Sequence, residues 1–102
     1  MLFMIVVAAG SLVSGVAWAA DGEAVFQSTC KNCHATGVMG APKFGSQADW
    51  GSRIAQGMAV LYQHALNGFT GKKGMMPARG GRGSLSDEEV KAAVDYMVNA
   101  AK

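Results

Sequence analysis

Apolar positions recur at helical spacing in two stretches of the chain. Over residues 58–67, Met58, Leu61, Tyr62, Ala65 and Leu66 fall on one face, with Gly68 placed to end the helix. Over residues 87–101, Val90, Ala93, Val94, Met97 and Ala101 do the same. Ser86-Asp87-Glu88-Glu89 precedes that run as a capping box, with Ser at the N-cap, Glu three residues on and acids in the first turn. Asp21 can cap an earlier helix through Gly22–Thr29, whose apolar side is Val25 and Phe26, and Asp49 can cap a short one from Trp50 to about Gln56. Glycine-rich stretches separate these runs. No strand alternation and no hairpin turn stands out, and there is no internal repeat. The pattern predicts an all-α domain of about four short helices.

The first twenty residues carry no charge and follow a different pattern. The apolar run from Leu2 to Ala9 has the length of a signal-peptide core, and Ala17-Trp18-Ala19 fits the small-x-small cleavage rule. Residues 1–19 are therefore expected to be a signal peptide and 20–102 the functional domain, although no basic region precedes the apolar run. An uncleaved membrane anchor is the alternative, since the segment is long enough to span a bilayer. Both readings put the domain outside the cytoplasm, in the periplasm.

Length and composition narrow the picture. A chain of 102 residues makes one small domain, and such a domain often needs a disulfide set, a metal or a cofactor to complete its core. Two cysteines make no disulfide framework. A net charge of +2 gives no reason to expect nucleic acid.

Those cysteines carry the strongest chemical signal. Cys30-Lys31-Asn32-Cys33-His34 is the attachment signature for a c-type haem. Thiols spaced this way on a helical turn can each add to one vinyl group of the porphyrin, and the adjacent imidazole then lies under the iron as proximal ligand. A redox dithiol would need a strand–helix unit before the motif, and a zinc site would need a second ligand pair; neither is present. One covalent haem c would also supply the apolar centre that the chain lacks.

The opposite iron ligand must come from further along the chain. Met39 is too close to His34, while Met58 and Met97 sit on apolar helix faces where methionine serves packing. His64 lies on a helix beside the apolar face, a position more typical of a surface residue. Met75 and Met76 stand in Lys72-Lys73-Gly74-Met75-Met76-Pro77, a glycine-flanked loop ended by a proline that biases Met76 towards an extended backbone. Met76 is the choice and Met75 the fallback.

In this order of motifs the chain resembles class I cytochrome c, and in its finer text the bacterial cytochrome c5 family. The matching stretches are residues 30–35, residues 37–45, Trp50 with Arg53, residues 61–69, Lys73 to Pro77 with Gly80-Gly81, and residues 85–97. The resemblance implies a small class I fold of about four helices wrapped around one haem, attached through Cys30 and Cys33 and ligated by His34 and Met76. It implies that the Pro42 carbonyl accepts a hydrogen bond from His34, that Trp50 and Arg53 surround the propionates, and that Phe26 and Tyr96 meet where the first and last helices cross. Some members carry a further cysteine pair after the methionine loop; residues 81–85 have none. The implied activity is single-electron transfer, with no enzyme activity and no small-molecule substrate. The implied partners are redox proteins, including membrane respiratory complexes such as a terminal oxidase or reductase. No acidic residue lies between Asp49 and Asp87, whereas Arg53, Lys72, Lys73, Arg79 and Arg82 do. The loop around Met76 is therefore expected to be basic and to steer an acidic partner. An open distal site that binds gases, or a role as one subunit of a larger oxidoreductase, are the competing readings.

Overall fold

The computed structural model describes residues 20–102, so the expected signal peptide at residues 1–19 lies outside the described residues. Four helical segments, two short 3-10 turns (Val38–Gly40 and Ala78–Gly81) and one minute strand pair make up the described residues. The first segment runs as α1 (Gly22–Val25), a π-helical turn (Phe26–Cys30) and α2 (Lys31–His34). It is continuous, because Val25, Phe26, Cys30 and Lys31 all keep right-handed helical angles at the junctions. Asp21 caps it by accepting from the Ala24 N–H at 3.1 Å. It therefore extends beyond the expected end at Thr29 and carries the whole Cys30–His34 motif. Gly37, at φ 80, ends the segment with its N–H on the Cys33 carbonyl at 3.0 Å.

The remaining helices are α3 (Gln47–Ile54), α4 (Met58–Asn67) and α5 (Asp87–Ala100). The cap of α3 differs from expectation: Ser46, not Asp49, holds the N-cap, and its side chain accepts from the Asp49 N–H. Asp49 instead turns back and accepts from the Lys43 N–H at 3.1 Å. The capping box of α5 is complete, with Ser86 and Glu89 each bonding the other's backbone N–H, at 3.1 and 3.0 Å.

A hairpin appears where none was expected. Strands β1 (Phe69–Thr70) and β2 (Met75–Met76) pair antiparallel, Phe69 opposite Met76 and Thr70 opposite Met75. Two-residue strands are too short to show alternation in a sequence. Pairing also turns Met75 outward and Met76 inward.

Helix α5 supplies the centre of the core. Val90, Ala93, Val94, Met97 and Ala101 are all buried, as the periodicity predicts, and Val98 joins them. Helix α1 crosses α5 so closely that a Cβ on Gly22 would overlap the Ala92 carbonyl. Phe26 and Tyr96 meet at this crossing with ring centroids 5.5 Å apart. Phe44 completes a three-ring cluster, 4.8 Å from Phe26 and 5.2 Å from Tyr96. Tyr62 on α4 hydrogen-bonds Asp95 on α5 and ties those two helices at the surface.

Candidate haem site

The segments enclose a cavity of about 250 Å³. Cys30, Cys33 and His34 line it from the first segment, Met76 from β2, Trp50 and Arg53 from α3, and His64 and Ala65 from α4. Thus the structure brings together the motif and the methionine that the sequence reading paired across more than forty residues.

The π turn is what presents the motif. The Lys31 N–H donates to the Phe26 carbonyl, five residues back, so one extra residue is fitted into the turn before Lys31. Phe26 and Thr29 are buried there and Cys30 is half-buried at the cavity. Both cysteines are unpaired thiols. Burial pushes the Cys30 thiol up from its ordinary value, with a backbone hydrogen bond opposing.

His34 is buried, at 7% exposure. Its Nδ1 lies 2.9 Å from the Pro42 carbonyl. A carbonyl only accepts, so Nδ1 carries the proton and Nε2 keeps the lone pair. Burial lowers the imidazole below the usual histidine range; the Pro42 bond opposes this and the Arg53 cation adds to it. The ring is therefore neutral and has one free acceptor nitrogen, the state a metal ligand needs.

Residues 42–44 splint this histidine to α3. Besides the Pro42 bond, the Phe44 N–H donates to the His34 carbonyl at 2.7 Å, and Trp50 Nε1 donates to the Lys43 carbonyl at 3.1 Å. The Trp50 ring, 4% exposed, lies 6.0 Å from the His34 ring at 24°. The single donor of Trp50 is thus used on the Lys43 carbonyl, while its side chain, like that of Arg53, lines the cavity. Arg53 has one nitrogen on the Asp49 carbonyl at 2.6 Å and further N–H groups for the cavity.

Met76 is half-buried and packs against the core, while Met75 is 54% exposed. His64 is less peripheral than expected. It lines the cavity, stacked on Phe69 with centroids 4.0 Å apart at 19°. Around the mouth, Val38, Met39, Phe69 and Met75 are the exposed large apolar residues. The basic surface is narrower than the sequence suggests. Arg79 is held by Asp87 at 2.6 Å and by the Leu85 carbonyl at 2.9 Å, and neither it nor Arg82 lines the cavity, whereas Arg53, Lys72 and Lys73 do, the two lysines in the loop before Met76.

An apolar cleft with free thiols, an imidazole of fixed tautomer and a half-buried thioether fits a covalently attached haem. Among the described residues, no three His, Cys, Asp or Glu side chains cluster as a metal site. Nor is any helix among the described residues long and apolar enough to cross a membrane.

Comparison with known proteins agrees. The family described as cytochrome c oxidase, cbb3-type, subunit III matches residues 17–97. Cytochrome c-555 of Chlorobaculum tepidum is 50% identical over 99 residues, covering 94% of this chain and 92% of that protein. Cytochrome c5 of Azotobacter vinelandii is 36% identical over 81 residues, covering 78% and 93%. A solved electron transfer complex of nitrite reductase with cytochrome c contains a chain that superposes with a TM-score of 0.71 at 39% identity, over 80% of this chain and 95% of that one.

Proposed function

Since the chain belongs to the class I c-type cytochromes, on their c5-like side, and so binds one covalent haem c, we propose that it carries single electrons in the periplasm through an iron held between His34 and Met76. That it is a small monohaem electron carrier and not an enzyme follows from the family. The ligand pair, the compartment and the partners are our reading.

One observation carries the choice of Met76. In β2 neighbouring side chains point to opposite faces: both methionines border the cavity, but Met76 is half-buried and packs against the core while Met75 is 54% exposed at the mouth. On the proximal side the Pro42 carbonyl holds His34 Nδ1–H and leaves Nε2 as the ligating nitrogen. Cys30 and Cys33 would hold the group through thioether bonds. When bound, haem iron supplies a one-electron ferric–ferrous couple, which a thioether ligand shifts to positive potential relative to two imidazoles. The chain's own part is to bind, orient and exclude water: the core residues Leu61, Ala65, Val94 and Met97 line the cavity and keep its interior apolar.

Partners would be redox proteins, among them a terminal oxidase or reductase of a respiratory complex. Two features support docking at the cavity mouth. Val38, Met39, Phe69 and Met75 offer an exposed apolar rim, and Lys72 and Lys73 beside them offer positive charge. The structural relative seen with nitrite reductase supports a protein partner. The uncharged residues 1–19, read as a signal peptide, support export.

The test is the visible spectrum of protein matured with c-type haem. A c-type ferrous spectrum together with the weak far-red sulfur-to-iron band of the ferric form is expected. Met76→Ala should abolish that band and admit carbon monoxide readily, whereas Met75→Ala should do neither. A wild-type spectrum without the band would refute the Met76 assignment and move attention to His64.

A further inference from the structure

Two loops meet backbone to backbone at the mouth of the cavity. The turn Val38–Gly40 follows the segment that carries His34, and the tip 71–74 joins β1 to β2. The tip is closed by the Gly71 N–H on the Gly74 carbonyl at 2.8 Å. A Cβ on Gly74 would overlap the Met39 carbonyl, and a Cβ on Gly40 would overlap the Lys73 carbonyl. Each glycine is thus the surface on which the other loop's carbonyl rests.

The turn is bent to make this contact. Met39 sits at φ 56, a left-handed conformation unfavourable for a residue with a Cβ, followed by Gly40 at φ 79. The Met39 side chain is 62% exposed, so its own packing does not hold it there. Strands of two residues are too short to stay paired alone. The tip therefore needs an outside anchor, and Gly74 lies only two positions before Met76.

We propose that Gly40, Gly74 and the Met39 carbonyl form a reciprocal clamp that positions Met76 in the cavity. The inference rests on the reading that Met76 is the distal ligand. Both glycines are positioning residues, acting through the strand rather than on the iron.

The experiment compares holoprotein carrying Gly74→Ala or Gly40→Ala with wild type and with Gly83→Ala, a loop glycine that faces open space. Both clamp variants should retain haem attachment and helix content by circular dichroism. They should lose much of the far-red band, and their ferrous form should bind carbon monoxide about tenfold more tightly, which corresponds to about 1.4 kcal/mol of lost closure. Gly83→Ala should match wild type. Met39→Pro, which forbids φ 56 without adding bulk at either glycine, should behave like the clamp variants if these fold poorly. Met39→Gly, which accepts φ 56 freely, should keep the band. A band that Met76→Ala abolishes but Gly74→Ala and Met39→Pro leave intact would overturn the clamp alone. A wild-type protein without the band would overturn the ligand assignment, and the clamp with it.

Discussion

Trp50→Phe separates the splint on His34 from simple core packing. The indole is 4% exposed, and its N–H bonds the Lys43 carbonyl at 3.1 Å, next to the Pro42 carbonyl that receives His34. Phenylalanine keeps the aromatic face but deletes that donor and part of the ring. A lost hydrogen bond of this kind costs about 1 kcal/mol, and water can reach the exposed Lys43 segment to limit the loss. The missing ring atoms amount to roughly two buried methylene equivalents, at about 0.8 kcal/mol each. The sum is about 2.5 kcal/mol, which for a domain of this size lowers Tm by roughly 10–20 °C. Thermal unfolding followed by circular dichroism measures it. The splint adds a second expectation: a looser Pro42 carbonyl weakens its bond to His34 and changes the basicity of Nε2, so the midpoint potential should move as well. Trp50→Phe with an unchanged Tm would refute the energetic argument. A lowered Tm with an unaltered potential would show that Trp50 only fills space, and the splint would be refuted.

Charge reversal at Lys72 and Lys73 should slow electron exchange with an acidic redox protein at low salt and flatten its dependence on ionic strength, as stopped-flow rates would show; the same change at Arg79, already held by Asp87, should act mainly on stability. Ser86→Ala should cost about 1 kcal/mol by removing the N-cap of α5, a fall of roughly 4–8 °C in Tm. Glu89 has its carboxyl lowered by hydrogen bonds from Ser86, so its stabilising contribution is present above the ordinary glutamate value and disappears as pH falls through the lowered one; Glu89→Gln should be less stable at neutral pH and lose less on acidification. Gly22→Ala should destabilise by about 1–3 kcal/mol in a denaturant titration, because the added methyl drives α1 off the Ala92 carbonyl.

What could be read from the sequence depended on how local each interaction is. The caps of α1 and α5 and the apolar face of α5 follow from residues within a turn or two of each other, and Asp21, Ser86 with Glu89, and Val90 through Ala101 adopt the predicted places. Asp49 misled because Ser46, three residues earlier, can also cap, and only the fold of residues 42–44 onto α3 decides that the Asp49 carboxylate serves Lys43. The hairpin was invisible for a related reason. Two-residue strands have no periodicity, and their pairing is stabilised where Gly74 meets Met39, thirty-five positions away. The site divides the same way. Cys30, Cys33 and His34 form one contiguous motif, so the attachment chemistry is legible from the text. The bond from His34 to the Pro42 carbonyl, eight residues on, follows from no spacing rule; the family resemblance alone implied it, and the structure has it. The narrowing of the basic surface depends on Arg79 finding Asp87. Charge counted along a sequence overstates the field at a docking surface whenever a cation in it has an acidic neighbour in the fold. Steering by this protein should therefore be attributed to Lys72 and Lys73 at the cavity mouth ahead of Arg79, whose charge Asp87 already meets.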